Sequence, residues 1–215
     1  MNNVKLFVFD LDGTLVSSHK TIFLATKLAF AQLNYNYELD EERFQQLIGL
    51  HFNDIFREFN ITDINFDNFI TAYRNYYEQI LDTSTLFPNV EILLQYLSSK
   101  KKKIALLTTK RQDQAEYILK YFNLTQYFDV VCGKKENLPN KPNPAQLLQI
   151  ISSLKTNASE TVMIGDTEID IRTGKNANTK TIAVTFGYRK LEKLEIEKPD
   201  FLIHDLSDLI DMMEK

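Results

Sequence analysis

The chain has one cysteine, Cys132, in 215 residues, which excludes an internal disulfide framework and fits a reducing compartment. Positive charge is not in excess either. The 25 Lys+Arg stand against 29 Asp+Glu, a formal net charge of −4, so no basic field is available to gather nucleic acid or an anionic membrane. No apolar run approaches the ~20 residues of a bilayer-spanning helix, and the first residues lack the basic, apolar and small-residue succession of a secretory signal. The expectation is a cytoplasmic protein with no nucleic-acid and no membrane partner. Histidine is sparse and scattered, at His19, His51 and His204; each reads as a surface or capping side chain, not as part of a zinc ligand set. Cys132 reads as a small buried apolar residue at a strand end.

What is present is enough for a sizeable core. Hydrophobic residues make up 44% of the chain and charged residues 25%, sufficient for one large domain with an insertion or for two small ones. Short β-rich runs recur at Leu6–Phe9, Ile104–Leu107, Asp129–Cys132, Thr161–Ile164, Thr181–Val184 and Phe201–Ile203, separated mostly by stretches of helical periodicity. The runs are unbroken rather than alternating, which suits parallel strands covered on both faces. Helices are expected over Asn89–Ser99, with Pro88 in the first turn, over Gln112–Phe122 and over Pro144–Leu154. The four lysines Lys100 to Lys103 read as a solvated helix C-terminus favoured by the helix dipole.

One interval breaks this rhythm. From Ser17 to Leu86 only helical patterns occur, among them one that starts at Asp40 as N-cap and stops at Gly49. The fold expected is therefore α/β, a three-layer α/β/α Rossmann-like parallel sheet with an inserted helical domain. Its core would take residues 1–16 and 87–215, and its helical cap residues 17–86.

In an open parallel sheet, ligands bind beyond the carboxyl ends of the strands, where strand order reverses. Asp10 and Asp12 end the first strand; Thr108, Thr109 and Lys110 end the second; Gly165, Asp166 and Asp170 follow the strand Thr161–Ile164, and Lys141 lies in a loop before a helix. Each alone is ordinary, since aspartate caps helices and threonine ends strands. Together they bring several carboxylates to one edge, where mutual repulsion would raise their pKa values. A hard divalent cation resolves that repulsion, and Mg²⁺, which takes few protein carboxylates and completes its shell with water and phosphate oxygen, matches the supply.

These residues carry a resemblance. Asp-Leu-Asp-Gly-Thr (Asp10–Thr14), the strand-end Thr108, Lys-Pro-Asn-Pro (Lys141–Pro144) and Gly-Asp-Thr-Glu-Ile-Asp (Gly165–Asp170) are similar to the four ordered motifs of the haloacid dehalogenase superfamily. The helical insertion, Gly49-Leu50 within it, Phe87-Pro88 at its return, Phe186-Gly187-Tyr188 and Lys198-Pro199-Asp200-Phe201 resemble its phosphoglycolate phosphatase-like branch. The resemblance implies a Mg²⁺-dependent phosphatase acting on a small phosphorylated metabolite, as a monomer or homodimer. Asp10 would be the nucleophile and form an aspartyl-phosphate, and Asp12 the general acid and then base. Thr108 and Lys141 would hold the phosphoryl group, with Thr109 and Gly13 beside them. The metal would be held by Asp10, the backbone carbonyl of Asp12, Asp166 and, directly or through water, Asp170. Gly13 permits a tight turn and Thr14 can tie it with its hydroxyl. Phosphate monoester hydrolysis demands accelerations on the order of 10²¹, which no single side chain supplies.

The second aspartate disfavours dehalogenation, which has no alcohol to protonate. A phosphonatase would need an imine-forming lysine in the insertion, where Lys20 and Lys27 read as solvated. A sugar-phosphate mutase of the β-phosphoglucomutase kind, a pyrophosphatase, a nucleotide phosphatase and a non-catalytic phosphate-binding regulator remain alternatives. Arg43, Arg57, His51 and Lys20 are cap candidates for an anionic leaving group, although charged helix residues are more often simply solvated.

Overall fold

The computed structural model describes residues 1, 3–134 and 138–214. The chain divides into two compact units, Met1–Leu15 with Leu86–Lys215, and Val16–Thr85.

The first unit is a six-stranded sheet. Its strands are β1 (Leu6–Phe9), β4 (Lys103–Arg111), β5 (Val130–Lys134), β6 (Thr161–Gly165), β7 (Lys180–Val184) and β8 (Phe201–Ile203); two short strands, β2 (Val16–Ser17) and β3 (Thr85–Leu86), pair with each other elsewhere. The spatial order is β5-β4-β1-β6-β7-β8, and every pairing is parallel. Strand order reverses between β1 and β6, which is where such a sheet opens a crevice at its carboxyl edge.

Strand β1 is central, with Leu6 opposite both Lys103 and Thr161. Leu6 and Val8 join Ala105, Leu107 and Met163 in one layer of core, covered by Leu147, Ile150 and Ile151. Those three come from helix α7 (Ala145–Ser153). Phe7 and Phe9 alternate to the opposite face and are also fully buried. Burial on both faces is why the run is continuously apolar. Helices α5 (Val90–Ser99), α6 (Gln112–Tyr121), α8 (Glu168–Asn176), α9 (Leu191–Ile196) and α10 (Ser207–Glu214) complete the unit. Each of α5 and α6 places buried leucine, isoleucine or alanine side chains at helical spacing.

The second unit holds α1 (His19–Gln32), α2 (Glu41–Gln45), α3 (Phe52–Glu58) and α4 (Phe66–Gln79). Its core is aromatic. The Phe30 ring lies 5.5 Å from both Phe56 and Phe69, and Phe52 lies 5.0 Å from Phe69 and 4.7 Å from Tyr73. Asp40 caps α2 by accepting from Arg43 N at 2.7 Å. No described helix is long and apolar enough to cross a membrane.

Several expectations need correction. Strand β4 runs beyond Leu107 to Arg111, with a register shift between those residues, because polar residues at a strand end can still pair when a neighbour offers its edge. Helix α5 starts at Val90, and Asn89, in the left-handed region at φ 64°, is its N-cap; Pro88 therefore precedes the helix rather than opening it. Helix α2 ends at Gln45, well before Gly49. Short β2 and β3 interrupt the interval that showed only helical patterns, being two residues each and too brief for a period to register. The four lysines are not merely solvated: Lys102 Nζ donates to Val4 O at 2.6 Å, and Lys103 Nζ to Leu154 O.

Candidate active site

Asp10 follows β1 directly. Its backbone N–H donates to Ile164 O at 2.9 Å, so the parallel pairing with β6 carries it to the sheet edge on a rigid backbone. Asp166 follows β6 and is fully buried. It fits there because two glycines stand beside it. Gly13 has φ +89°, and a Cβ on it would lie 2.3 Å from Asp166 Oδ2; a Cβ on Gly187 would lie 2.2 Å from Asp166 Cβ. Both distances are impossible contacts for any larger residue. The Asp166 carboxylate accepts from Tyr188 N at 2.8 Å and from Thr14 Oγ1 at 3.4 Å. The Thr14 hydroxyl thus reaches across to Asp166, while the turn it was expected to tie is closed by Leu15 N donating to Leu11 O at 2.9 Å.

Asp170 is the third residue of α8. It forms a capping box with Thr167, in which Asp170 Oδ2 accepts from Thr167 N at 3.1 Å and from Thr167 Oγ1 at 2.6 Å. The Thr-x-x-Asp spacing of 167 to 170 is the sequence sign of that box. The other oxygen, Oδ1, accepts from Lys141 Nζ at 2.5 Å, and the same ammonium donates to Asp10 Oδ1 at 2.7 Å. Lys141 thus ties the end of β1 to the start of α8.

One oxygen each from Asp10, Asp166 and Asp170 lie within 4.8 Å of one another. Burial drives the Asp10 carboxyl up to about 7, against the pull of Lys141, with repulsion from Asp170 and Asp12 adding to the rise. Asp166 is pushed well above the ordinary carboxyl range, first by burial and then by Asp170 and Asp10. Burial would lower the Lys141 ammonium, but Asp10 and Asp170 together outweigh it and hold the lysine charged. One lysine thus serves two of the three carboxylates, the burial and mutual repulsion of the three still favour a further cation, and the triad offers oxygen donors only. The demand for positive charge fits a divalent cation, and the all-oxygen donor set fits a hard one better than zinc, which prefers nitrogen and sulfur.

Asp12 stands outside this triad. Its Oδ2 lies 3.0 Å from Lys110 Nζ, and the two side chains are 12% and 8% exposed. Thr108 is buried within β4, where its Oγ1 accepts from Lys110 N at 3.2 Å. Thr109 is half-buried next to it.

Two partners had no place in the expected site, Arg189 and the backbone N–H of Tyr188, and Lys110, expected at that edge, had no role assigned. Arg189 is 4% exposed and its Nε donates to Glu168 Oε2 at 2.7 Å, joining the segment after β7 to the first turn of α8. Lys110 follows Thr108 and Thr109 within β4, and its meeting with Asp12 is set by contacts far apart in sequence. No local pattern announces Arg189. In the helical unit three of the four cap candidates are engaged locally, and Lys20 is exposed. Arg43 pairs with Glu58, Arg57 with Asp54, and His51 accepts from Asn53 N at 3.3 Å while stacking on Phe66.

The pattern of the haloacid dehalogenase-like hydrolases matches residues 7–184. A pyrophosphatase PpaX from Bacillus mycoides is 30% identical over 213 residues, covering 99% of this chain and 98% of the relative. A phosphoglycolate phosphatase from Aquifex aeolicus is 30% identical over 212 residues, covering 98% and 97%. A crystal structure described as a predicted phosphoglycolate phosphatase, from Haemophilus somnus, superposes with a TM-score of 0.89 at 25% identity and covers 99% of both chains.

Proposed function

Because the chain belongs to the haloacid dehalogenase-like hydrolase family, we propose that it is a Mg²⁺-dependent phosphatase of small phosphorylated metabolites, with Asp10 as nucleophile. The observation that carries this reading is the grip of Lys141 on Asp10 and Asp170, at 2.7 and 2.5 Å, beside a third buried carboxylate.

Asp10 is fixed at a strand end and presents a carboxylate oxygen to phosphorus. Its attack expels the leaving oxygen and forms an aspartyl-phosphate. Lys141 keeps its charge and offsets both the nucleophile and the charge that develops on the phosphoryl oxygens. Thr108 offers a hydroxyl from the neighbouring strand β4. Asp12 hands a proton to the departing oxygen and then takes one from the water that attacks phosphorus, which returns Asp10 to its carboxylate. Asp10, the Asp12 carbonyl, Asp166 and Asp170 would hold the Mg²⁺, with Tyr188 N–H and Thr14 orienting Asp166. When bound, the cation neutralises the carboxylates and polarises the phosphoryl group.

The substrate most consistent with the sequence branch is phosphoglycolate or a similar small monoester. A second reading, inorganic pyrophosphate, is supported by the 30% identity to a pyrophosphatase across nearly the whole chain. Phosphate release from a panel of esters and pyrophosphate, with and without Mg²⁺, tests both. Release from phosphoglycolate that stops on chelation supports the first reading. Equal release in excess chelator would remove the metal from the mechanism.

A further inference from the structure

Two lysines are buried at the carboxyl edge, and they differ in what surrounds them. Lys141 is enclosed between Asp10 and Asp170, with its side chain only 4% exposed. Its ammonium belongs to the carboxylate cluster. Lys110 instead meets Asp12, at 3.0 Å. The register shift in β4 between Leu107 and Arg111 falls on this stretch, and the side chain that follows Thr108 and Thr109 is buried beside Asp12 instead of extending into solvent.

We infer that Lys110 selects substrates whose leaving group carries its own negative charge, such as a carboxylate or a second phosphate. The inference rests on the reading of Asp12 as the residue that protonates the leaving oxygen. A proton donor must come within about 3 Å of the oxygen it serves. A leaving oxygen at that distance from Asp12 Oδ2 lies no more than about 6 Å from the Lys110 ammonium, given the 3.0 Å separation of the ion pair. An anionic group one to three bonds further along the leaving group then falls within direct reach. A lysine ammonium is a compact charge with three rotatable donors, suited to take a carboxylate or phosphate oxygen while still touching Asp12. Glycolate and phosphate, the leaving groups of the two candidate substrates, share this charge although they differ in shape. Charge on the leaving side is thus the common chemistry of the two readings.

The test compares matched pairs by released phosphate: phosphoglycolate against 2-hydroxyethyl phosphate, which replaces the carboxylate by a hydroxymethyl group, and pyrophosphate against methyl phosphate. The wild-type protein should favour a charged member in kcat/KM. Lys110→Met and Lys110→Gln should lower kcat/KM for that member by about 10- to 100-fold more than for its neutral partner, the range of one charge-assisted hydrogen bond. Lys110→Arg should keep the preference. Equal losses on both members would make Lys110 a mere support for Asp12 and overturn the inference while leaving phosphatase activity intact. Indifference of the wild type to charge would overturn it as well, and that comparison stands whether or not a variant folds. Absence of phosphate release from every compound would instead overturn the parent reading, and this one with it.

Discussion

The two units of the chain bury very different things. The sheet unit encloses Asp10, Asp166, Asp170, Lys141 and Arg189 beside its strand ends, whereas the helical unit encloses rings, with Phe44, Phe56, Phe69 and Tyr77 all essentially inaccessible. A parallel sheet can hold charge because its strand ends are fixed by pairing on both sides, and each carboxylate meets a designated cation or N–H. A small helical unit lacks that frame, and its stability comes from packed aromatic area instead. The ion pair of Arg57 with Asp54 in the helical unit lies outside, the two side chains 75% and 50% exposed. The candidate site and the aromatic core therefore lie in different parts of the sequence.

The division can be broken by mutation, most severely at the nucleophile. Asp10→Asn should lower phosphate release by at least about 10⁴-fold, with a melting temperature equal to or above that of the wild type because a buried charge is removed. Retained activity would end the proposed mechanism. The next largest effect belongs to the helical unit: Phe69→Ala should reduce unfolding free energy by about 3–5 kcal/mol in denaturant titrations. A loss below about 1 kcal/mol would mean that the ring cluster is not the core it resembles.

The pH dependence of stability sharpens the same contrast. In the folded protein without metal, Asp10 holds its proton up to about 7, whereas an unfolded aspartate loses it near 3.9. The folded state therefore binds more protons across that interval, and stability should fall as pH rises from about 4 to 7, by on the order of a few kcal/mol. Asp166 shifts in the same direction. Added Mg²⁺ should raise the melting temperature more at pH 8 than at pH 5, which calorimetry can check; an equal rise at both would argue against binding to these carboxylates. The smallest expected effect is Asp40→Ala, which removes the N-cap of α2. It should cost about 1 kcal/mol and leave kcat unchanged in the phosphate-release assay.

Much of the sheet was legible from the sequence because strands buried on two faces must be largely apolar, and Leu6–Phe9 and residues 162–164 are. The principal carboxylates were legible too, since Asp10 and Asp166 each follow such a run directly. What escaped were features set by contacts far apart in sequence. Lys110 and Asp12 are separated by nearly a hundred residues, and no periodicity records that they meet. The extension of β4 through Thr108 to Arg111 depends on β5 lying alongside, with Arg111 opposite Lys134. The reach of Thr14 to Asp166 depends on the approach of β6 to β1.

By itself, the sequence determined most of the element types and offered the side chains that end the strands, because apolar period and residue type are local properties. Tertiary structure alone decided the partnerships: Lys141 shared between Asp10 and Asp170, Asp166 seated between Gly13 and Gly187, and Lys110 turned onto Asp12. The physical reason is that a charge acquires its protonation state and its role from the groups packed around it, and those groups are assembled only when the sheet closes.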